Sequence, residues 1–155
     1  MRNLILIFIA CLCFILSGGE LIKAPDFVLN SIDGKEIKLS NYKDKKVILN
    51  FWATLCPPCK EEIPYFVKFY NENKNKIEII GIELTGKKKE IEQIVKKYNI
   101  SYPICISDGK IENLYGGIRF VPTTFVIDEK GYIILKKVGL MTEEELKGII
   151  KNEKK

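Results

Sequence analysis

Two cysteines separated by two prolines, Cys56 and Cys59, are the residues of this 155-residue sequence whose spacing points to chemistry. They lie in the stretch TLCPPCKEEIP, residues 54–64. Two thiols at this spacing can form half of a zinc site, a structural disulfide or a redox-active pair. The chain contains no histidine, which excludes a histidine-assisted nucleophile, a histidine-ligated haem and an HExxH metal site.

The redox interpretation is the best supported of the three. A structural zinc site needs about four Cys or His ligands, and beyond this pair the chain downstream of residue 19 offers only Cys105. A structural disulfide across so few residues closes a loop that is too short to stabilise the fold much. We therefore expect no metal and no cofactor, and a pair that cycles between dithiol and disulfide.

The residues around the pair predict where it lies in the fold. The apolar run VILNFW, residues 47–52, predicts a buried strand that ends just before Cys56. From Cys59 onward, apolar residues recur at helical spacing, namely Ile63, Phe66, Val67 and Tyr70. Cys56 is thus predicted at a helix N-terminus, where the helix dipole and backbone amides stabilise a thiolate and lower the pKa of the thiol.

This position assigns the two sulfurs different roles. Cys56 is predicted to attack, and Cys59, one turn further in and less exposed, to resolve the mixed disulfide. Pro57 and Pro58 remove two amide donors, so we expect a less extreme oxidant than a pair with a fully solvated thiolate. Lys60 either adds a favourable charge beside the sulfur, where it is also a candidate for proton relay, or points to solvent.

The remaining sequence alternates strand and helix patterns, which predicts an α/β fold. A turn at Asp33-Gly34 joins two short apolar runs into a leading hairpin. The other predicted elements are a strand over 77–84, an amphipathic helix around 91–98, an extended piece at 102–106, a helical turn at 111–115, strands at 123–128 and 132–138, and a helix from Thr142 with a Glu145 capping box. We find no repeat or linker, so residues 20–155 are predicted to form one domain.

The N-terminus, residues 1–19, reads as a signal peptide or an N-terminal membrane anchor. Arg2 precedes 13 apolar residues and the small residues Ser17-Gly18-Gly19. Cleavage, retention as an anchor and lipidation at Cys11 stay open, but each places the rest of the chain outside the cytoplasm. The basic excess consists of 23 lysines and two arginines scattered among 20 acidic residues, which argues against a nucleic-acid partner.

Three stretches in order, APDFVLNSIDGKEIKLSNY, VILNFWATLCPPCKEEIP and VPTTFVIDEKG, resemble the TlpA/ResA-like thiol-disulfide oxidoreductases of the thioredoxin superfamily. The resemblance covers residues 24–150. It implies a thioredoxin-like fold, with a central mixed sheet flanked by helices and an N-terminal β-hairpin extension. It also implies that Pro122 is a cis-proline facing the disulfide, beside which the backbone of Val121 receives an extended substrate.

The resemblance further implies an extracytoplasmic reductase of protein disulfides. Its electrons would come from a membrane donor of the DsbD or CcdA type, and apocytochrome c would be one client. The sequence alone does not fix the direction of electron flow.

Several residues depart from the thioredoxin pattern. Asn50 stands where thioredoxins carry a buried carboxylate, so Glu83 is either a substitute proton relay or a strand-end glutamate facing water. Leu55 replaces the tryptophan often found before the first cysteine. Trp52 is expected to pack beside the site, and Cys105 to be a buried small hydrophobe.

Two other functions fit the residues of this chain less well. A peroxidase of the peroxiredoxin type needs a threonine three residues before its cysteine and a proline further upstream, where this chain has Ala53 and Leu49. A non-catalytic client- or copper-binding module of this fold would use a histidine for copper, and the chain has none.

Overall fold

The computed structural model describes residues 21–151, so the predicted signal or anchor at residues 1–19 lies outside the described residues. The strands are β1 Ile22–Lys23, β2 Val28–Asn30, β3 Glu36–Lys38, β4 Lys46–Trp52, β5 Ile77–Glu83, β6 Ile104–Ile106, β7 Thr123–Ile127 and β8 Tyr132–Val138. The helices are α1 Pro57–Asn73, α2 Lys88–Tyr98, α3 Ile111–Leu114 and α4 Glu143–Lys151. No helix within residues 21–151 is long and apolar enough to cross a membrane.

Six strands form one mixed sheet in the order β1-β8-β7-β4-β5-β6. Strands β4, β5 and β6 are parallel, whereas β7 is antiparallel to β4 and β8 is antiparallel to β7. Every residue of β4 and β5 is buried, because helices or the hairpin cover both faces at the centre of the sheet. This burial explains their nearly continuous apolar sequences and confirms the predicted mixed sheet.

The N-terminal hairpin is also confirmed. Strands β2 and β3 pair with each other in a separate two-stranded sheet, and an isolated bridge from Ser31 to Cys105 connects it to β6. Gly34 has a φ of 84° in the turn between them, a conformation that glycine adopts without a steric penalty.

Two clusters of buried residues lie on the two faces of the sheet. One face carries residues of α1, α2 and α4, including Cys56, Cys59 and Leu146. The other face packs the hairpin and α3, through residues such as Leu29 and Ile111. The cysteine pair is therefore part of one of the two hydrophobic cores.

The inner face of α1 follows the predicted spacing. Ile63 and Phe66 are buried, and Val67 and Tyr70 are half-buried and pack against the same core. The buried residues of the helix are Cys59, Glu62, Ile63, Phe66 and Phe69. Glu62 therefore faces the core on the same side of α1 as Cys59.

Candidate active site

Cys56 and Cys59 form a disulfide at the point where β4 gives way to α1. Cys56 is the N-cap of α1, and its Sγ accepts a hydrogen bond from the backbone N–H of Cys59 at 3.2 Å. Cys56 is 9% exposed, whereas Cys59 is 0% exposed. This is the asymmetry expected of an attacking and a resolving sulfur.

The prolines limit how many amides can reach the sulfur of Cys56. Pro57 and Pro58 occupy the first two positions of α1 and carry no N–H. Cys59 supplies the next amide, which bonds the sulfur, while the amide of Lys60 donates to the carbonyl of Cys56 at 3.2 Å. The amide of Cys59 is therefore the helix-terminal donor that would stabilise a thiolate on Cys56 when the pair is reduced.

The loop before β7 forms the opposite wall of the site. The Val121–Pro122 peptide bond is cis, as the resemblance implied. The carbonyl oxygen of Val121 lies 3.6 Å from Sγ of Cys56. Pro122 is buried and Val121 is half-buried, so a backbone carbonyl of this loop lies directly beside the sulfur of Cys56.

The structure adds a buried acid that the sequence analysis missed. Glu62 is 0% exposed and lies three residues after Cys59 on the same face of α1, where side chains are neighbours with Cβ atoms about 5–6 Å apart. One oxygen accepts from Nδ2 of Asn50 at 2.8 Å, and the other accepts from the backbone N–H of Met141 at 2.8 Å. Asn50 also donates to Oγ1 of Thr124 at 3.0 Å.

Burial raises the pKa of Glu62 to about 7, although the hydrogen bonds from Met141 and Asn50 and the charge of Lys137 act in the opposite direction. A carboxyl with this pKa exchanges a proton near neutral pH. The position of Glu62 three residues after Cys59, on the face that carries the apolar residues of α1, is the sequence signal that would have found it.

Glu83 is buried, so the expectation of a strand-end glutamate facing water is wrong. Its side chain is 0% exposed because three backbone amides surround it. They belong to Thr54, Thr85 and Gly86, at 3.0, 2.9 and 2.6 Å from its carboxylate oxygens. Glu83 thus ties the loop before Cys56 to the loop after β5.

Gly86 makes this close approach of the two loops feasible. A Cβ at this position would lie 2.6 Å from Cγ2 of Thr54 and 2.8 Å from Oε1 of Glu83. Both distances are below those that a Cβ tolerates, so only glycine fits without displacement of a neighbour.

The other residues singled out from the sequence lie around the pair in different ways. Trp52 ends β4, is 2% exposed and belongs to the same core cluster as the two cysteines. Lys60 is half-buried in the first turn of α1. Leu55 is 84% exposed beside Cys56.

Cys105 lies in β6 in the cluster on the opposite face of the sheet from the pair. It is a free thiol that is 0% exposed, and burial raises its pKa to about 12. A thiol that stays protonated and inaccessible is a poor nucleophile, which agrees with a packing role. Among residues 21–151, no three His, Cys, Asp or Glu side chains are grouped in a way that could hold a metal ion.

Comparisons with known proteins agree with this geometry. A family model described as the AhpC/TSA family matches residues 22–136. The thiol-disulfide oxidoreductase ResA of a Bacillus cereus strain is 38% identical over 130 residues, which cover 83% of this chain and 75% of that protein.

Two solved structures are similar along nearly their whole length. A thiol:disulfide interchange protein of the thioredoxin family from Chlorobium tepidum TLS gives a TM-score of 0.80 at 30% identity, covering 85% of this chain and 95% of that one. StoA from Bacillus subtilis gives a TM-score of 0.70 at 34% identity, and the match covers 81% of this chain and 96% of that one. With its CPPC disulfide at a helix N-terminus, the chain belongs to the AhpC/TSA family, in the thiol-disulfide oxidoreductase branch that includes the ResA proteins.

Proposed function

We propose that the protein reduces disulfides of client proteins outside the cytoplasm through the Cys56–Cys59 pair. The observation that carries this proposal is the placement of Cys56 as the N-cap of α1, with its sulfur accepting the amide of Cys59. The same amide and the helix dipole would stabilise a thiolate on Cys56 in the dithiol form.

The reaction proceeds in two exchanges. The thiolate of Cys56 attacks one sulfur of the client disulfide, so that bond breaks, a mixed disulfide forms and the other client sulfur leaves as a thiolate. Cys59 then loses its proton and attacks Cys56, which releases the second client sulfur and forms the Cys56–Cys59 disulfide. Two electrons pass to the client, and an external dithiol must return the pair to the reduced state.

Glu62 is the residue best placed to take the proton of Cys59. Cys59 is fully buried, so its thiol needs an acceptor inside the protein, and Glu62 lies on the same helix face with a pKa of about 7. Glu83 is less suited to relay a proton because it lies at the end of β5 and not on the helix face of Cys59, and three backbone amides, from Thr54, Thr85 and Gly86, hold its carboxylate. Lys60 stays a second candidate.

The location and partners that we propose rest on the apolar run at the N-terminus and on the family of the chain. Residues 1–19 would export the domain, either as a cleaved signal or as an anchor to the outer face of the cytoplasmic membrane. A membrane donor of the DsbD or CcdA type would supply the electrons. Apocytochrome c is the client that the family resemblance favours.

Turnover tests the chemistry. The wild-type protein should accelerate the reduction of insulin by dithiothreitol, whereas Cys56→Ser should abolish the acceleration because no attacking sulfur remains. Cys105→Ser is the matched control and should keep full activity. Equal rates for wild type and Cys56→Ser would contradict the proposal.

A trapping variant identifies the partners. Cys59→Ala leaves Cys56 able to form a mixed disulfide but unable to release it. Covalent complexes recovered from cells should contain both clients and the electron donor. A variant that captures no protein would argue against a protein-thiol substrate.

A further inference from the structure

Two large apolar side chains close in sequence to the residues at the attacking sulfur are exposed to solvent. Leu55 is 84% exposed and Phe120 is 70% exposed, the two highest values for large hydrophobic residues within residues 21–151. Leu55 directly precedes Cys56. Phe120 directly precedes Val121, whose carbonyl oxygen lies 3.6 Å from the sulfur of Cys56.

The backbone that carries Phe120 is held in place. The hydroxyl of Thr123 donates to the carbonyl of Phe120 at 2.7 Å, and the cis bond to Pro122 follows one residue later. The exposure of Phe120 therefore belongs to an ordered part of the site. Covering exposed apolar surface with a partner removes it from water, which favours binding.

A small cleft extends this surface away from the disulfide. Its volume is about 230 Å³, and its lining includes Phe120, Val138, Arg119 and Lys136. This volume is below the range of about 300–1,000 Å³ that is usual for drug-sized ligands, but it suits a single side chain. The lining contains two cationic side chains and no acidic one, so the cleft favours an acidic group.

We propose that these residues form a docking surface for an extended client segment, which carries bulky apolar residues next to its cysteine and an acidic residue nearby. This inference rests on the proposed function and names the kind of client that the site selects. Leu55 directly precedes Cys56, and Phe120 precedes the residue whose carbonyl contacts the sulfur of Cys56, so a client sulfur that reaches Cys56 brings its neighbouring residues near both side chains. An unfolded or extended segment can do this, whereas a folded protein seldom exposes such apolar neighbours.

Matched peptides test this inference. Each peptide is a disulfide-linked dimer through one cysteine. In the first, leucine and phenylalanine flank the cysteine and a glutamate follows; the second has serines for the apolar residues, and the third has lysine for glutamate. Dithiothreitol-reduced and desalted protein is mixed with each peptide, the reaction is stopped in acid, and chromatography gives the second-order rate constant.

The wild type should reduce the apolar peptide about tenfold faster than the serine peptide, as expected for partial burial of two side chains. Leu55→Ser and Phe120→Ser should each lower this ratio several-fold, because each removes half of the apolar contact. Arg119→Glu should reverse the preference between the glutamate and lysine peptides.

Ile22→Ser is the control for loss of an exposed apolar residue. Ile22 is 67% exposed and pairs with Ile133 in β8, which lies level with the start of β4 and so at the end of the sheet away from the site. It should behave as wild type. Equal rates for the apolar and serine peptides, or a ratio that Ile22→Ser lowers as much as Phe120→Ser does, would overturn this inference alone. A wild type that reduces no peptide would instead contradict the proposed function.

Discussion

The surroundings of Cys56 and Glu62 have opposite effects on the charged forms of the two side chains. Cys56 lies at the positive end of α1 with an amide on its sulfur, which favours its charged form. Glu62 lies inside the core, where burial favours the neutral form of its carboxyl and raises its pKa to about 7. The surroundings of Cys56 thus favour a thiolate once the disulfide is reduced, and Glu62 can gain or lose a proton near neutral pH.

The raised pKa of Glu62 predicts that the free energy of unfolding depends on pH. The folded protein binds the Glu62 proton up to about pH 7, whereas the unfolded chain releases it near the ordinary value of 4.5. The stabilisation that follows is present below pH 4.5 and is lost as the pH rises towards 7, by at most about 3 kcal/mol. Urea unfolding of the oxidised protein measures it, since the disulfide removes the two active thiols from the titration.

Glu62→Gln should lose this pH-dependent contribution between pH 4.5 and 7. Glu61→Gln is the control, because Glu61 is the exposed neighbour on the same helix and should follow the wild type. Parallel stability curves for wild type and Glu62→Gln would show that Glu62 titrates normally.

Pro58 gives a prediction about the reactivity of Cys56. Pro58→Ala supplies an amide at the second position of α1, one of the positions whose N–H bonds an N-cap side chain. The extra donor should lower the pKa of the Cys56 thiol and make the protein more oxidising. The rate of iodoacetamide alkylation of the reduced protein against pH measures this pKa.

Pro64→Ala is the matched control, since Pro64 lies inside the same helix but far from its N-terminus. It should change stability without a change in the pKa of Cys56. An unchanged alkylation profile for Pro58→Ala would mean that the new amide does not reach the sulfur.

The sequence predicted some of these residue properties and missed others for physical reasons. The place of Cys56 and the loss of donors at Pro57 and Pro58 follow from local chemistry, and the structure confirms them. The burial of Glu62 depends on the amide of Met141, 79 residues away. The position of Glu62 on the apolar face of α1 indicates burial, but no local pattern identifies this distant amide as the partner of its carboxylate.

At the scale of elements, the site depends on how two loops are held together. Glu83, at the end of β5, accepts hydrogen bonds from backbone amides of two loops. One is the loop before Cys56, and the other is the loop that follows β5. The amide of Leu84 adds a bond to the carbonyl of Trp52 at 3.1 Å. The neighbouring ends of two parallel strands thus fix the backbone that presents the disulfide.

Gly86→Ala tests this connection. The new methyl group would collide with Thr54 and Glu83, so the loops must separate at a cost of about 1–3 kcal/mol. We expect lower stability in urea and slower insulin reduction. Gly148→Ala is the control: it lies in α4 with nothing within 4 Å of the new atom and should gain about 0.5–1 kcal/mol. Full activity and stability in Gly86→Ala would show that the loops separate freely.

Most elements could be predicted from periodicity, and the exceptions have identifiable causes. Strands β4 and β5 are continuous apolar runs because both faces are covered. Strand β1 was not predicted because it has two exposed residues and exists only through pairing with β8. The cis bond at Pro122 followed from the family resemblance and not from any local pattern.

At the scale of the whole molecule, the two active-site cysteines are part of a hydrophobic core. The cluster that contains Cys56 and Cys59 also contains Met141, Leu146 and Ile149 from the C-terminal part of the chain. Helix α4 is further joined to α1 by an ion pair between Lys68 and Glu143 at 2.7 Å. Loss of packing by α4 should therefore affect the global stability of the domain.

Leu146→Ala measures this contribution. Leu146 is 0% exposed, so its truncation should leave a cavity and cost about 2–5 kcal/mol in the free energy of unfolding. Glu144→Ala, at an exposed position of the same helix, should change it by less than about 0.5 kcal/mol. Chemical denaturation of both variants in the oxidised form gives the comparison, and similar values would show that α4 packs loosely.

The complete burial of Cys59 behind Cys56 has a consequence for survival under peroxide stress. An oxidant that reaches the outer thiolate converts it to a sulfenic acid, which harsher oxidation would carry irreversibly to sulfinic acid. The inner thiol is shielded from the oxidant yet adjacent to the damaged atom, so it can condense with the sulfenic acid, expel water and restore the ordinary disulfide. Mass spectrometry after peroxide treatment should find the intact bond in the wild type and the sulfinic adduct when Cys59 is replaced by alanine.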